Sequence, residues 1–133
     1  MKRRILVIDD EEGVRDAFVL ALDNEPSLEV LTADSGAAGV ERAREQRPDL
    51  VFLDLHMPGM TGVEAMRTLL SADPTLNIYI VTAFHQEFMP ELKAARDDGL
   101  VFELARKPLG ADQIRAAVHG ILEGEPSRQE KSS

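Results

Sequence analysis

Five positions in this 133-residue chain carry side chains that could act together on a phosphate or a metal. Asp9 and Asp10 continue directly from the apolar run Ile5-Leu6-Val7-Ile8, and Asp54 continues from Leu50-Val51-Phe52-Leu53. Thr82 closes the run from Ile78 to Val81, with the small Ala83 behind it, and Lys107 follows the run from Val101 to Ala105. Three carboxylates brought together would repel by about 4 kcal/mol per pair in contact at an effective dielectric of about 20. A hard divalent cation removes that penalty. Oxygen ligands without a His or Cys side-chain partner favour magnesium over zinc. Mg²⁺ keeps several of its waters and commonly shares a phosphate, so the set invites phosphoryl chemistry. Thr82 adds a hydroxyl and Lys107 a compact positive charge. Glu11 and Glu12 suit a solvated helix start, where acids are favoured. Asp9 and Asp10 suit it less, because they extend a buried strand.

These residues meet only if the apolar runs are neighbouring strands. The chain alternates strand-like and helix-like patterns five times. Ile5 to Ile8 is continuously apolar, as expected of a strand covered on both faces. Val14, Ala17, Phe18, Ala21 and Leu22 then fall at helical spacing, stopped by Asn24 and Pro26. Leu28 to Ala33 reads as the second strand, and Ser35-Gly36 opens a short helix with Val40 and Ala43 inward. Leu50 to Leu53 is the third strand, and Met57-Pro58-Gly59-Met60 is the loop after it. Val63, Met66, Leu69 and Leu70 mark the third helix. After the fourth strand, Phe88, Leu92 and Ala95 line one face of a fourth helix, with Pro90 tolerable only in its first turn. Val101 to Ala105 is the fifth strand. The last helix carries Ile114, Val118, Ile121 and Leu122 on one stripe. Such alternation with short loops implies an α/β domain with a parallel sheet covered on both faces. Ligands in such folds bind beyond the carboxyl ends of the strands, where Asp9, Asp10, Asp54, Thr82 and Lys107 fall.

Composition narrows the function classes. The chain is long enough for one domain with its own core, and its 44% apolar content excludes wholesale disorder. Fifteen basic against 24 acidic side chains give a net charge of −9, which disfavours sequence-independent nucleic-acid binding and docking on anionic membranes. The absence of cysteine excludes disulfides, zinc thiolate sites and a cysteine nucleophile. The apolar run after Met1-Lys2-Arg3-Arg4 is too short for a signal peptide, and no segment approaches a membrane span, so the cytoplasm is the expected location. Residues 123–133 contain no apolar side chain and read as an unstructured tail or the start of a linker, leaving 1–122 as the domain.

The motifs Ile8-Asp9-Asp10-Glu11, Asp54-Leu55-His56-Met57-Pro58-Gly59-Met60-Thr61-Gly62, Thr82-Ala83 and Lys107-Pro108 resemble those of the receiver domain of two-component response regulators, and the match extends from Ile5 to about Leu122. The resemblance implies a flavodoxin-like doubly wound (βα)5 fold with strand order 2-1-3-4-5. It implies that Asp54 is the phosphoacceptor, attacking the phosphohistidine of a histidine kinase or a histidine phosphotransfer protein. Asp10, Asp54 and the backbone carbonyl of His56 are the implied Mg²⁺ ligands, with Asp9 acting mainly through a water on the metal. Thr82 and Lys107 are expected to contact phosphoryl oxygens after transfer, and the Lys107-Pro108 peptide to be cis. His56 and Phe84, two positions after Asp54 and Thr82, would flank the phosphoryl group and gate water. The implied outcome is a conformational switch acting on a downstream protein or an output domain absent from this chain, and not turnover of a separate substrate.

Two features depart from the family pattern. An aromatic residue commonly stands three positions before the lysine; here that position is Leu104, with Phe102 two residues earlier. The segment from Thr82 to Lys107 is also a few residues longer than usual. Thr82, Phe102, Leu104 and Pro108 are therefore the candidates for relaying the switch. His85 and His119 show no partner acid at a recognisable spacing. Two other functions compete with the switch. A haloacid-dehalogenase-type phosphatase would also use a nucleophilic Asp and Mg²⁺, but places a second Asp where His56 stands. A non-phosphorylated interaction module on a receiver scaffold would not need the complete acidic set.

Overall fold

The computed structural model describes residues 2–83 and 85–132, with the side chains of His85 and of 124–132 outside the description. The elements follow the order β1 (Arg3–Ile8), α1 (Glu12–Ala21), β2 (Leu28–Ala33), α2 (Gly36–Gln46), β3 (Leu50–Leu53), α3 (Gly62–Ala72) and β4 (Asn77–Thr82). A 3-10 turn (His85–Phe88) then leads into α4 (Met89–Asp97), β5 (Glu103–Arg106) and α5 (Ala111–Ser132). All strand pairs are parallel and the sheet order is β2-β1-β3-β4-β5, as the resemblance implies.

Alternation along the strands explains why these runs are apolar throughout. Leu6, Ile8, Val51, Leu53, Ile78 and Ile80 face one layer with residues of α2, α3 and α4. Ile5, Val7, Leu50, Phe52 and Val81 face the other, with Phe18 of α1 and Ile114, Val118 and Leu122 of α5. Successive side chains point to opposite faces, so a strand covered twice must be apolar at every position. On the α1/α5 side, the Phe52 ring lies 4.7 Å from that of Phe18 and 5.4 Å from that of Tyr79.

Local signals set the helix starts. Ser35 caps α2 by accepting from the Ala38 N–H. Thr61 and Glu64 form a reciprocal capping box at the start of α3, which satisfies two otherwise orphaned N–H groups. Pro90 sits in the first turn of α4, where its missing N–H costs no helical bond.

Among the boundaries that differ from the sequence expectation, two bear on the last strand and helix. Pairing in β5 begins at Glu103 and not at Val101, which is 81% exposed; an apolar side chain there extends the apolar run without joining the sheet. The bounds of α5 reach Ser132, while its buried stripe ends at Leu122. The tail expected over 123–133 falls, apart from Glu123, on side chains outside the described residues. Among the described residues, no helix is long and apolar enough to cross a membrane.

Candidate functional site

Strand order brings the chemical residues together. Because β1 and β3 pair with Ile8 opposite Leu53, the residues following them leave the sheet side by side. The Asp54 N–H donates to the Ile8 carbonyl at 3.0 Å, and the Asp9 N–H to the Ala33 carbonyl at 3.1 Å. The ladder thus continues one residue past each strand and fixes both aspartates. On the other side of β3, β4 ends at Thr82, which is fully buried, and the Lys107 N–H donates to the Thr82 carbonyl at 3.1 Å. The Lys107-Pro108 peptide is cis, as the resemblance leads one to expect.

The result is an acidic cleft with one ammonium in it. Asp9, Asp10 and Asp54 each present a carboxylate oxygen, all within 4.8 Å of one another; Asp9 and Asp54 are buried and Asp10 is exposed. The Lys107 Nζ lies 2.8 Å from Asp9 Oδ2 and 3.4 Å from both Asp54 Oδ1 and Glu11 Oε1. Burial, reinforced by the Asp9 and Asp10 carboxylates, pushes the Asp54 carboxyl up from 3.8 to about 6 against the downward pull of Lys107. Burial alone would lower the Lys107 ammonium, but its hydrogen bond to Asp9 and the charges of Asp54, Asp9 and Glu11 outweigh it and leave it raised. The residues fit a hard divalent cation: three oxygen donors converge, and two of them are carboxylates withdrawn from water.

The other expected residues take varied places. His56 is exposed, in the loop after β3. Its ring lies 6.2 Å from the Phe88 ring, at the end of the 3-10 turn, a neighbour that sequence spacing did not reveal. Phe102 is buried ahead of β5 with the Arg96 guanidinium 4.2 Å above its ring. Leu104 is half-buried against the same core layer, and Pro108 is exposed. Phe84 lies outside the described residues. His119 corrects the expectation that it has no partner acid: its ring nitrogens lie 3.0 Å from Glu25 and 3.0 Å from Glu123. The second contact spans four residues of α5 and was legible as an i, i+4 pair.

Gly62 is an unforeseen support of the site. Its N–H donates to the Leu55 carbonyl at 3.0 Å. A Cβ at this position would stand 2.3 Å from the Asp54 carbonyl oxygen and 2.6 Å from the Leu55 Cα. Both are backbone atoms that cannot rotate aside. Gly62→Ala should therefore push the segment after β3 out of place and cost about 1–3 kcal/mol, the usual range for overpacking. Urea unfolding checks this: an unchanged midpoint would mean that the contact is not tight.

Comparison with known proteins agrees with this geometry. Residues 5–119 match the family model of the response regulator receiver domain. The chain is 30% identical over 122 residues to sporulation initiation phosphotransferase F of Bacillus subtilis, covering 92% of this chain and 95% of that protein. It is 32% identical over 124 residues to response regulator GacA of Pseudomonas aeruginosa, covering 92% of this chain but only 56% of that protein. It therefore spans nearly all of the first relative and about half the length of the second. The CheY-like receiver domain protein of Methanospirillum hungatei superposes with a TM-score of 0.81 over 100% of both chains at 22% identity, which shows the shared fold. With the sheet order, the paired ends of β1 and β3 and this match along most of its length, the chain belongs to the response regulator receiver domain family.

Proposed function

We propose that this receiver domain takes a phosphoryl group onto the Asp54 carboxylate, from the phosphohistidine of a histidine kinase or histidine phosphotransfer protein, and switches conformation in response. The observation that carries the reading is the placement of Asp54. Its carboxylate is buried at a strand end, 3.4 Å from the Lys107 ammonium and grouped with two further carboxylates.

Phosphoryl transfer requires in-line positioning and charge neutralisation more than covalent assistance. Asp10, Asp54 and the His56 backbone carbonyl would hold Mg²⁺, with Asp9 acting mainly through a water. When bound, the ion supplies positive charge that offsets the carboxylates and the incoming phosphoryl oxygens. An Asp54 oxygen forms the new bond to phosphorus as the histidine nitrogen leaves. Lys107, already charged and half-buried beside Asp54, pairs with one phosphoryl oxygen, and Thr82 donates its hydroxyl to another.

Aspartyl phosphate replaces one negative charge with about two. The pull of these oxygens on Lys107 and Thr82 draws the ends of β4 and β5 towards Asp54, and Phe102, Leu104 and Pro108 lie on the path to the surface. Taking such an equilibrium from 1:99 to 99:1 requires about 5.5 kcal/mol of differential interaction. A phosphate meeting a cation, a lysine and a hydroxyl is of the right chemistry for that. The functional unit is residues 1–122, with 123–133 a tail or linker start. Its setting is the cytoplasm, and its target is a downstream protein or output domain. It does not turn over a separate substrate.

Chemical mapping tests the assignment. After incubation with phosphoramidate and Mg²⁺, hydroxylamine should cleave the acyl phosphate and leave a hydroxamate on the acceptor. Peptide mass spectrometry should find that mark at Asp54, and its appearance at another carboxylate would contradict the proposal.

A further inference from the structure

The peptide joining Asp9 to Asp10 is where the chain leaves β1. The Asp9 carboxylate is held from two sides: the Glu11 N–H donates to Oδ1 at 3.0 Å, and the Lys107 Nζ lies 2.8 Å from Oδ2. The Asp9 carbonyl is held separately. It accepts a hydrogen bond of 2.8 Å from Nη1 of Arg15, a half-buried residue in the second turn of α1. Asp10 differs from its neighbour. Among the described residues its carboxylate has no hydrogen-bond or ion-pair partner, yet it stands within 4.8 Å of the Asp9 and Asp54 oxygens. With no side-chain partner to hold it, its reach towards Asp54 depends on where the main chain places its Cα and Cβ, and Arg15 grips the carbonyl of the peptide just before it.

We propose that Arg15 is a positioning residue of the acidic site: by holding the Asp9 carbonyl it orients the Asp9–Asp10 peptide so that the Asp10 carboxylate faces Asp54. The inference rests on the reading of Asp10 and Asp54 as magnesium ligands. Arg15 touches neither the metal nor the phosphoryl group, and acts through the backbone alone.

Charge and position make opposite demands here, which separates the two roles. As a cation beside an acidic cleft, Arg15 disfavours binding of another cation, so deleting it should tighten Mg²⁺ binding on Coulombic grounds alone. As the anchor of the Asp9–Asp10 peptide, it preorganises a ligand, so deleting it should weaken binding. A rigid ligand set loses less freedom when the ion binds.

Isothermal titration of Mg²⁺ into the unphosphorylated full chain and into Arg15→Ala, after chelator treatment, reads the sign directly. Thermal melts of both proteins in chelator accompany the titration. The expected result is a Kd at least fivefold weaker in Arg15→Ala. An unchanged or tighter Kd would overturn the proposal, as would a lower melting temperature without a change in Kd, which marks a purely structural contact. If Arg15→Ala loses its cooperative melt, Arg15→Gln carries the same test, since its short amide keeps the stem without the guanidinium fork. Failure of the parent chain to bind Mg²⁺ at all would overturn the ligand reading itself, and this positioning role with it.

Discussion

Asp54→Asn, expected to lose the phosphoacceptor, should nonetheless be more stable than the parent in magnesium-free buffer at neutral pH. The sign follows from the Asp54 carboxyl, raised from 3.8 to about 6 in the folded protein. Below pH 3.8 the group is protonated in both folded and unfolded chains and costs nothing. Between 3.8 and about 6 the folded state holds the proton more tightly, so stability falls as pH rises through that window. Above the window the cost of an ionised carboxylate, buried and beside Asp9, is fully present. A shift of this size corresponds to about 2–3 kcal/mol, allowing for some solvent screening. Asparagine cannot ionise and escapes the pH-dependent part. For a domain of this length the gap is on the order of 5–10 °C in melting temperature. Melts in chelator at pH 4 and pH 7.5 should show the Asn advantage emerging between them. An equal gap at both values would show that ionisation is not its source. Saturating Mg²⁺ should stabilise the parent more than the variant, because binding to the folded state alone raises its stability.

Lys107→Met should have the opposite effect and one at least as large. The Lys107 side chain is 12% exposed and its ammonium reaches Asp9, Asp54 and Glu11. Two of those partners are buried aspartates, and removing one member of a buried charge pair typically costs about 3–5 kcal/mol. Protonation of Asp54 relieves part of this, so about 3 kcal/mol is expected in metal-free buffer at pH 7. The loss should shrink below pH 6 and on adding Mg²⁺, each of which reduces the unpaired negative charge. In the parent, the raised ammonium keeps the contribution of Lys107 whole below its unfolded value of 10.5, and that contribution fades only as pH passes its folded value. Urea unfolding with and without Mg²⁺ measures both effects. A metal-free loss under about 0.5 kcal/mol, the level of an exposed pair, would mean that the ammonium does not hold the site together.

The architecture was legible in the sequence where one physical signal dominated. Ile5 to Ile8 and Leu50 to Leu53 read as buried strands because both faces of the sheet are covered, and the structure buries all eight residues. Strand order was not legible from alternation, because many orders are compatible with five βα units; the motif resemblance supplied it. The residues that meet at the candidate site were legible because they follow strand-like segments, with Asp9, Asp54 and Thr82 directly at the ends of apolar runs. The residues around them were not. Arg15 donates to a backbone carbonyl six residues away, and Gly62 matters for the backbone that it lets approach. Neither leaves a periodic mark, although Gly62 closes the motif that carries the resemblance. Phe88 read as a core position of the fourth helix, and only the folded chain places its ring near His56. At β5, hydrophobicity misplaced the start, since Val101 is apolar yet exposed.

The phosphoacceptor assignment is most directly tested by intact-protein mass after incubation with phosphoramidate, with and without Mg²⁺, beside Asp54→Ala under the same conditions. The account predicts a gain of one phosphoryl group that requires the metal and is absent from the variant. An equal gain in Asp54→Ala, or no gain in a folded parent chain shown to bind Mg²⁺, would contradict it.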